Sequence, residues 1–241
     1  MKALDGRQLT GRDETHLVAL PGGHRLQAEA AEAFVALQED ARTAGIELTI
    51  ASSYRSFARQ LLIWNAKAAG DRPVYDDGGH RVAMDSLSHG ERVQAILRYS
   101  ALPGSSRHHW GSDLDVFDAA AVADDYRVRL SSEEVSPCGV FDPLHQWLDE
   151  RIGRGESRGF FRPYAVDRGG VAQERWHLSF APLSVSCAKC VTGELLRASW
   201  DELQGWESLL LRDAVENQLD EILRRYVEVP HDWCPQALRE K

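Results

Sequence analysis

The chain has 241 residues, of which 43% are hydrophobic and 27% are charged, and its formal net charge is −9. This is an ordinary globular composition, long enough for one large domain or for one domain with an appendage. The acidic balance and the lack of a Lys/Arg cluster argue against a nucleic-acid partner, because phosphate binding needs a basic surface. No apolar run approaches the ~20 residues that a membrane-spanning helix requires.

The N-terminal segment, MKALDGRQLTGRDETH, is polar and mixed in charge. It lacks the apolar core of a secretory signal peptide. The sequence as written therefore predicts a cytoplasmic protein and leaves export by another route open. Nothing in the sequence predicts the oligomeric state.

The four cysteines are too few for a disulfide scaffold. Cys187 and Cys190 have the spacing of a metal-binding or redox pair, and His231 and Cys234 follow further along the chain. The three cysteines Cys187, Cys190 and Cys234, together with His231, could bind a structural zinc ion. Because a single CxxC pair is a weak signal, we favour reduced thiols in a surface turn and in the core.

Three helices and a strand are predicted in the first hundred residues. Helical spacing of apolar residues predicts a first helix over 24–44, and the β-rich run that follows predicts a strand over 46–53. Capping and stop signals predict a second helix over 56–70 and a third over 88–100. The polar, glycine-containing segment 71–86 is expected to be a loop.

Two later segments alternate between apolar and polar residues, as half-buried strands do. In DLDVFD, Leu114 and Val116 are expected on one face, opposite Asp113, Asp115 and Phe117.

In WHLSF, His177 and Ser179 are expected on one face, with Trp176, Leu178 and Phe180 opposite. After residue 199 the pattern predicts one or two amphipathic helices. Helices interleaved irregularly with strands indicate the α+β class.

Imidazoles and carboxylates are concentrated on and beside these two strands. His108, Asp115 and His177 offer two imidazoles and one carboxylate, the three-ligand set with an open fourth position that catalytic zinc uses. Such a site also needs a base that is not a ligand, and Glu174 is spaced for this role. Because residues three apart on a strand face opposite ways, Glu174 must lie in a turn just before the strand.

Three motifs occur in a fixed order along the chain. SSYRSFARQ spans 52–60, the residues of an SxHxxGxxxD pattern are Ser106, His108, Gly111 and Asp115, and ERWH spans 174–177. Together they resemble the VanY-type zinc D-alanyl-D-alanine carboxypeptidases, which are metallopeptidases of the LAS/M15-like class. The resemblance covers roughly residues 30–181.

This resemblance implies a fold and a division of the chain. The expected fold is α+β, with a small antiparallel sheet that carries the zinc site and flanking helices, as in Hedgehog and D,D-peptidase domains. The expected division is a zinc D,D-carboxypeptidase-like domain over 1–185 and a helical C-terminal extension over 186–241.

The resemblance also implies a role for individual residues. One catalytic zinc ion would be bound by His108, Asp115 and His177. Catalysis would use Glu174 as general base and Arg55 to stabilise the negatively charged tetrahedral intermediate. The residues implied to contact the peptide are Gln60 and Ser106, with Tyr54 either a wall of the cleft or a core residue.

The sequence departs from the family pattern at two positions. Ser53 replaces a glycine that many relatives have, which could narrow the turn before Tyr54. Asp113 replaces a small residue and shares the face of Asp115, so it could perturb the site or be solvated. Beside the motif residues, His109 is expected to lie at the surface or to support the site, while Trp110 and Trp176 are expected to pack.

The leading hypothesis is a zinc carboxypeptidase that removes the terminal D-alanine from peptidoglycan stem peptides or their precursors. Alternatives within the enzyme class are an L,D-carboxypeptidase that trims tetrapeptide stems during wall recycling, and an endopeptidase. An alternative from another class is a metal-bearing sensor of wall peptides or muropeptides without catalysis. A sensor has no need of a general base, so the presence of Glu174 beside all three ligands favours an enzyme.

Overall fold

The computed structural model describes residues 3–204, 207–229 and 234–239. These residues form an α+β fold in which helices surround a four-stranded antiparallel sheet and a short hairpin. The strands are β1 (Val18–Ala19), β2 (Arg25–Leu26), β3 (Leu48–Ser52), β4 (Asp113–Asp118), β5 (Phe160–Phe161) and β6 (His177–Phe180). The helices are α1 (Gly6–Leu9), α2 (Ala28–Thr43), α3 (Phe57–Ala69), α4 (His89–Leu97), α5 (Ser132–Val135), α6 (Asp142–Gly153), α7 (Ala181–Cys190), α8 (Gly193–Asp201), α9 (Arg212–Glu216), α10 (Leu219–Ile222) and α11 (Gln236–Arg239).

The order of strands in the main sheet is β3-β4-β6-β5, and every neighbouring pair is antiparallel. In this register Asp115 on β4 lies opposite His177 on β6 and opposite Ser52 on β3. Polar residues of all three motifs are therefore cross-strand neighbours in the sheet.

The opposite face of the sheet packs into a hydrophobic core. Leu114, Val116 and Leu178 are buried in one cluster with apolar residues of α2 and α6. The alternation predicted for DLDVFD is thereby confirmed, because Asp113 and Asp115 project from the other face. The second strand agrees at Leu178 and Phe180, whereas Trp176 precedes β6 and packs in a separate small cluster beside Phe141.

A second hydrophobic cluster joins α3 and α4 to the C-terminal helices. It contains three fully buried tryptophans, Trp64, Trp110 and Trp200. The predicted division after residue 185 falls within α7, and the segment beyond it contributes to this same cluster through Leu196, Trp200, Leu219 and Ile222. Packing of Trp110 was predicted and is confirmed.

The first helix starts later than predicted. Arg25 and Leu26 pair with the strand β1, and the helix begins only at Ala28. The intervening Gln27 is extended, its amide N–H donates to the carbonyl of Gly111, and its side chain donates to the carbonyl of Trp110. These long-range hydrogen bonds hold the segment outside the helix, and helical periodicity cannot reveal them.

The C-terminal segment also differs from the prediction of one or two amphipathic helices. It forms the short helices α9 and α10, a single π-type turn at Leu223–Val227, and α11. Trp64 of α3 donates to the carbonyl of Leu210, and Asn65 bonds both the carbonyl of Ser208 and the amide of Leu210. These hydrogen bonds from α3 hold residues 208–210 in a non-helical conformation before α9.

Within the described residues, no helix is both long and apolar enough to cross a membrane.

Candidate active site

His108 lies in a one-turn 3₁₀ helix, Arg107–Trp110, that leads into β4. The turn between them passes through Gly111, whose φ of +68° is in the left-handed region that glycine adopts most readily. Nδ1 of His108 lies 2.9 Å from the carbonyl oxygen of Ser53. Because a carbonyl can only accept, Nδ1 is the donor, and Nε2 is left facing the carboxylate of Asp115 at 3.4 Å.

His177 faces the carboxylate of Asp115 through Nδ1, whereas His108 faces it through Nε2. Nδ1 of His177 lies 3.4 Å from Oδ1 of Asp115 and 3.3 Å from Oε2 of Glu174. Its Nε2 donates to Oδ1 of Asp113 at 3.1 Å. Each histidine therefore has one nitrogen fixed by a hydrogen-bond acceptor and one directed at Asp115, the arrangement in which ligating histidines are usually held.

The donor set of His108, Asp115 and His177 fits a metal ion. One ligand atom from each of these residues lies within 4.8 Å of the others. Oδ1 of Asp115 is buried and accepts no hydrogen bond from the described residues, a costly state that a bound cation would relieve. Burial raises the pKa of Asp115 to about 6 and holds the pKa of His108 well below its usual value. Two imidazoles and a carboxylate suit zinc better than magnesium or calcium.

Asp113 is fully buried, so the expectation that it could be solvated is wrong. Its carboxylate accepts from Nε of Arg107 at 2.8 Å, from His177 and from the hydroxyl of Ser112 at 2.7 Å. Burial opposes its charge, but Arg107 and His177 hold the pKa of Asp113 well below its usual value. Burial likewise opposes the charged form of His177, but the hydrogen bonds to Asp113 and Glu174 raise the pKa of His177 to about 9.

Glu174 and Arg55 line one cavity of about 270 Å³ together with His108, Asp115 and His177. The amide of His177 donates to the carbonyl of Glu174, so Glu174 lies in the predicted turn before β6. Arg55 donates to Oε1 of Gln60 at 3.0 Å and to the hydroxyl of Ser52 at 3.3 Å. Burial lowers the pKa of Arg55, while the charges of Asp115 and Glu174 oppose that shift.

The three residues expected to contact peptide lie in different places. Ser106 lines the cavity beside His108. Gln60 is fully buried behind Arg55, and its amide donates to the carbonyl of Ala101 at 2.7 Å. Tyr54 points away from the cavity and donates to the carbonyl of Gly11 at 3.1 Å. The structure brings Ser106 to the candidate site and does not bring Gln60 or Tyr54 to its wall.

His109 is fully buried, so its expected surface position is wrong and its expected supporting position is right. Nδ1 of His109 donates to the carbonyl of Arg55 at 2.6 Å, and its Nε2 accepts from the amide of Gly104 at 3.1 Å. Ser53 does not need the conformation of a glycine, because its φ is not positive, and its hydroxyl accepts from the amide of Arg25. The departure at Ser53 is thus compatible with the turn.

Several cavity-lining residues were not anticipated from the sequence, among them Lys67, Arg107 and Tyr164. Lys67 and Tyr164 lie outside the motifs, and Arg107 is a variable position within one. The ring of Tyr164 contacts that of His177 edge-on, with 5.1 Å between the centroids. The sequence did contain one indication of the position of Arg107. A buried carboxylate such as that of Asp113 needs a cationic partner, and Arg107 is a nearby arginine.

The structural-zinc alternative gains no support from the described residues. Cys187 is buried in the hydrophobic cluster that contains Trp64, Trp110 and Trp200. Cys190 is exposed, and Cys234 is buried against Phe161. Among the residues that the structure describes, only the His108 group has metal-binding spacing. His231 lies outside the described residues.

Comparison with known proteins gives two relatives from Haemophilus influenzae, both named as uncharacterized proteins. The first is 47% identical over 103 residues, which cover 41% of this chain and 70% of the relative. The second is 27% identical over 128 residues, which cover 52% of this chain and 92% of the relative.

The chain is also similar to several solved structures. One is a mutant of the vancomycin resistance D,D-pentapeptidase VanY from a VanB-type cassette in complex with Zn(II). It is 22% identical with a TM-score of 0.49, covering 84% of this chain and 90% of that one. Another is the LD-carboxypeptidase LdcB, which is 18% identical with a TM-score of 0.49 and covers 81% of each chain.

The VanY family model, described as D-alanyl-D-alanine carboxypeptidase, matches residues 23–183. That span is more than half of the chain, and it includes β3, β4, β6 and every residue of the His108, Asp115 and His177 group. The chain therefore belongs to the VanY D-alanyl-D-alanine carboxypeptidase family.

Proposed function

We propose that this chain is a zinc-dependent carboxypeptidase that hydrolyses the terminal D-alanine from peptidoglycan stem peptides or their precursors. The observation that carries the proposal is the convergence of His108 Nε2, His177 Nδ1 and the unpartnered Oδ1 of Asp115 at a cavity shared with Glu174 and Arg55. Membership of the VanY family supports the reaction class.

In this proposal His108, Asp115 and His177 hold the zinc ion. When bound, zinc supplies Lewis-acid polarisation of a carbonyl and makes a water more acidic. Ser53 and Asp113 fix the orientation of the two imidazoles, so that each directs its other ring nitrogen to the same point. Nδ1 of His177 would lose its proton on zinc binding.

Glu174 is the proposed general base. Its Oε2 lies 3.3 Å from the metal-facing nitrogen of His177, so a water attacking a substrate carbonyl at this point is within its reach. Glu174 would accept the proton of that water and then deliver it to the nitrogen of the leaving D-alanine.

Arg55 is the proposed stabiliser of the transition state. Its guanidinium lines the cavity, and two hydrogen bonds, to Gln60 and Ser52, hold it in position. A fixed cation stabilises the negative charge that develops on the former carbonyl oxygen as water attacks. We assign Gln60 to orienting Arg55, and we assign the hydroxyl of Ser106 to hydrogen bonding with the peptide.

Incubation of the zinc-loaded protein with tripeptide, tetrapeptide and pentapeptide stems, with products identified by mass, tests the proposal. We expect loss of one alanine from the pentapeptide and no reaction in the presence of a chelator. Loss of the terminal residue from the tetrapeptide alone would assign the L,D-carboxypeptidase activity, and internal cleavage would assign an endopeptidase. Binding of the peptide without product release would contradict the enzyme and support a sensor.

The ligand assignment is tested by metal analysis. The wild type is expected to bind about one zinc ion per chain, and His108→Ala and His177→Ala are expected to lose it. Undiminished zinc in both variants would contradict the assignment.

A further inference from the structure

Lys67 projects from α3 into the cavity that holds the candidate metal site. Its side chain is buried, with 9% of the residue exposed, and its Nζ donates to the hydroxyl of Ser100 at 2.7 Å. Arg72 and Arg55 line the same cavity. This wall is therefore cationic, in contrast to the acidic group of Asp115 and Glu174.

Lys67 has no acidic partner in the part of the chain that the structure describes. No carboxylate oxygen there lies within 4.0 Å of its Nζ, and its only side-chain hydrogen bond is to a neutral hydroxyl. Burial, with the nearby charges of Arg72 and Arg55, lowers the pKa of Lys67 to about 8. A buried ammonium without an anion is costly, so such a group usually pairs with one.

Lys67 is connected to the candidate catalytic groups through a short series of hydrogen bonds. Arg55 donates to Gln60, and Gln60 donates to the carbonyl of Ala101, the residue next to Ser100. The ammonium of Lys67 thus lies on the same wall as Arg55, one hydrogen-bonded segment further along. A bound peptide with its scissile carbonyl near Arg55 has two directions for its leaving residue: along this wall towards Lys67, or away from Lys67.

We propose that Lys67, assisted by Arg72, binds the free α-carboxylate of the C-terminal residue and so makes the site select peptide ends. This inference rests on the proposed carboxypeptidase function. The carboxylate supplies the missing counter-ion, and the ammonium binds it through a charge-assisted hydrogen bond while Ser100 holds Nζ in place. An internal peptide segment has no free α-carboxylate to present to this wall, so it does not supply that counter-ion.

A solely structural role for Lys67 makes a different prediction. In that case the hydrogen bond of Lys67 joins α3 to the segment around Ser100. Loss of Lys67 then lowers the stability of the fold and weakens the binding of every ligand by the same factor. Carboxylate recognition instead changes the discrimination between a peptide acid and the corresponding peptide amide. The ratio of the affinity for the acid to the affinity for the amide separates carboxylate recognition from a structural role. A general loss of stability lowers both affinities equally and leaves their ratio unchanged.

The test compares a peptide ending in D-Ala-D-Ala with its C-terminal amide. Binding of each to the zinc-loaded protein is measured by calorimetry, and turnover is measured on the same preparations. Lys67→Gln retains a donor for Ser100 without the charge, and Arg72→Gln changes an exposed residue that should not affect folding. Lys189→Met, at an exposed lysine of α7, is the matched control.

We expect the wild type to bind the acid more tightly than the amide by about 10- to 100-fold, the range for a hydrogen bond to a charged group. Lys67→Gln should lose most of this preference while its affinity for the amide changes little. Arg72→Gln should lose part of the preference, and Lys189→Met none of it.

Equal affinity of the wild type for acid and amide, or a preference that persists in Lys67→Gln, would overturn the inference. The binding ratio is measured whether or not the peptide is cleaved. A protein that binds the acid selectively and releases no alanine would therefore contradict the proposed function while supporting the role of Lys67.

Discussion

Glu174 and His177 approach each other across a single turn, with 3.3 Å between Oε2 and Nδ1. Glu174→Gln keeps the size of the side chain and removes its basicity. We expect turnover to fall by about 10²- to 10⁴-fold, the usual contribution of a general acid–base group. Zinc content and peptide affinity, measured on the same preparation, should stay within error of the wild type. Unchanged turnover would remove Glu174 from the role of base.

The role proposed for Arg55 is to stabilise charge that develops only during the reaction. Arg55→Ala should lower kcat by more than it raises KM, because the interaction strengthens in the transition state. Arg55→Lys should restore the activity only in part, because one ammonium cannot reproduce two donors in a planar fork. Steady-state kinetics of both variants provide the measurement, and a normal kcat in Arg55→Ala would show that Arg55 is dispensable.

Asp113 links Arg107 to His177 in a fully buried group. Asp113→Asn keeps the shape but removes the negative charge that orients the imidazole. We expect zinc affinity to fall by about 10- to 100-fold, as for other outer partners of metal-bound histidines. Competition with a chromophoric chelator measures this affinity without relying on activity.

Ser112→Ala is the control for Asp113→Asn, because it removes only the hydroxyl that donates to the other carboxylate oxygen of Asp113. Its zinc affinity should change much less. If the two variants bind zinc equally well, Asp113 does not position His177.

At the scale of elements, the turn from the 3₁₀ helix into β4 determines where His108 and Asp115 meet. Gly111 has φ +68°, and a Cβ there would lie 2.2 Å from Leu17 and 3.3 Å from the amide nitrogen of Gln27. Gly111→Ala should therefore lower the free energy of unfolding by more than the roughly 1–2 kcal/mol of the left-handed conformation alone. Denaturant unfolding gives the measurement.

Gly45→Ala is a matched control for Gly111→Ala. Gly45 has φ +79° at the end of α2, and a Cβ there would meet nothing within 4 Å. It should show the conformational cost without the close contact. A loss of stability at Gly111 no larger than at Gly45 would show that the chain around Leu17 and Gln27 adjusts freely.

At the scale of the molecule, the segment after residue 185 completes a core rather than lying beside it. Leu196, Trp200, Leu219 and Ile222 are buried with Trp64 and Trp110. Burying four such side chains contributes about 6–12 kcal/mol, which is comparable with the whole stability of a domain, about 5–15 kcal/mol. We expect a fragment of residues 1–185 not to unfold cooperatively.

Circular dichroism and denaturant titration of this fragment provide the measurement. A chain that ends at residue 229 keeps all four side chains and is the control, expected to retain a cooperative transition. A cooperative transition in the 1–185 fragment would instead support the two-part division predicted from the sequence.

Local patterns in the sequence were sufficient to predict much of the fold. The second helix, from a serine cap to a glycine in the left-handed region, is confirmed as α3 with Ser56 and Gly70 at its ends. The capping box of Ser88 and Glu91 is confirmed at α4. These signals are readable because a cap and the turn that it caps lie within four residues of each other.

The sequence by itself determined the chemical groups of the candidate site: two imidazoles, one carboxylate and a separate glutamate, all on β4 and β6 or in the turns just before them. Tertiary structure decided which nitrogen of each histidine faces Asp115, because the fixing acceptors Ser53 and Asp113 are 55 and 64 residues away along the chain. It also placed Gln60 behind Arg55 and turned Tyr54 away. Periodicity and caps record contacts between near neighbours, whereas these positions result from packing between distant segments, which no local pattern encodes.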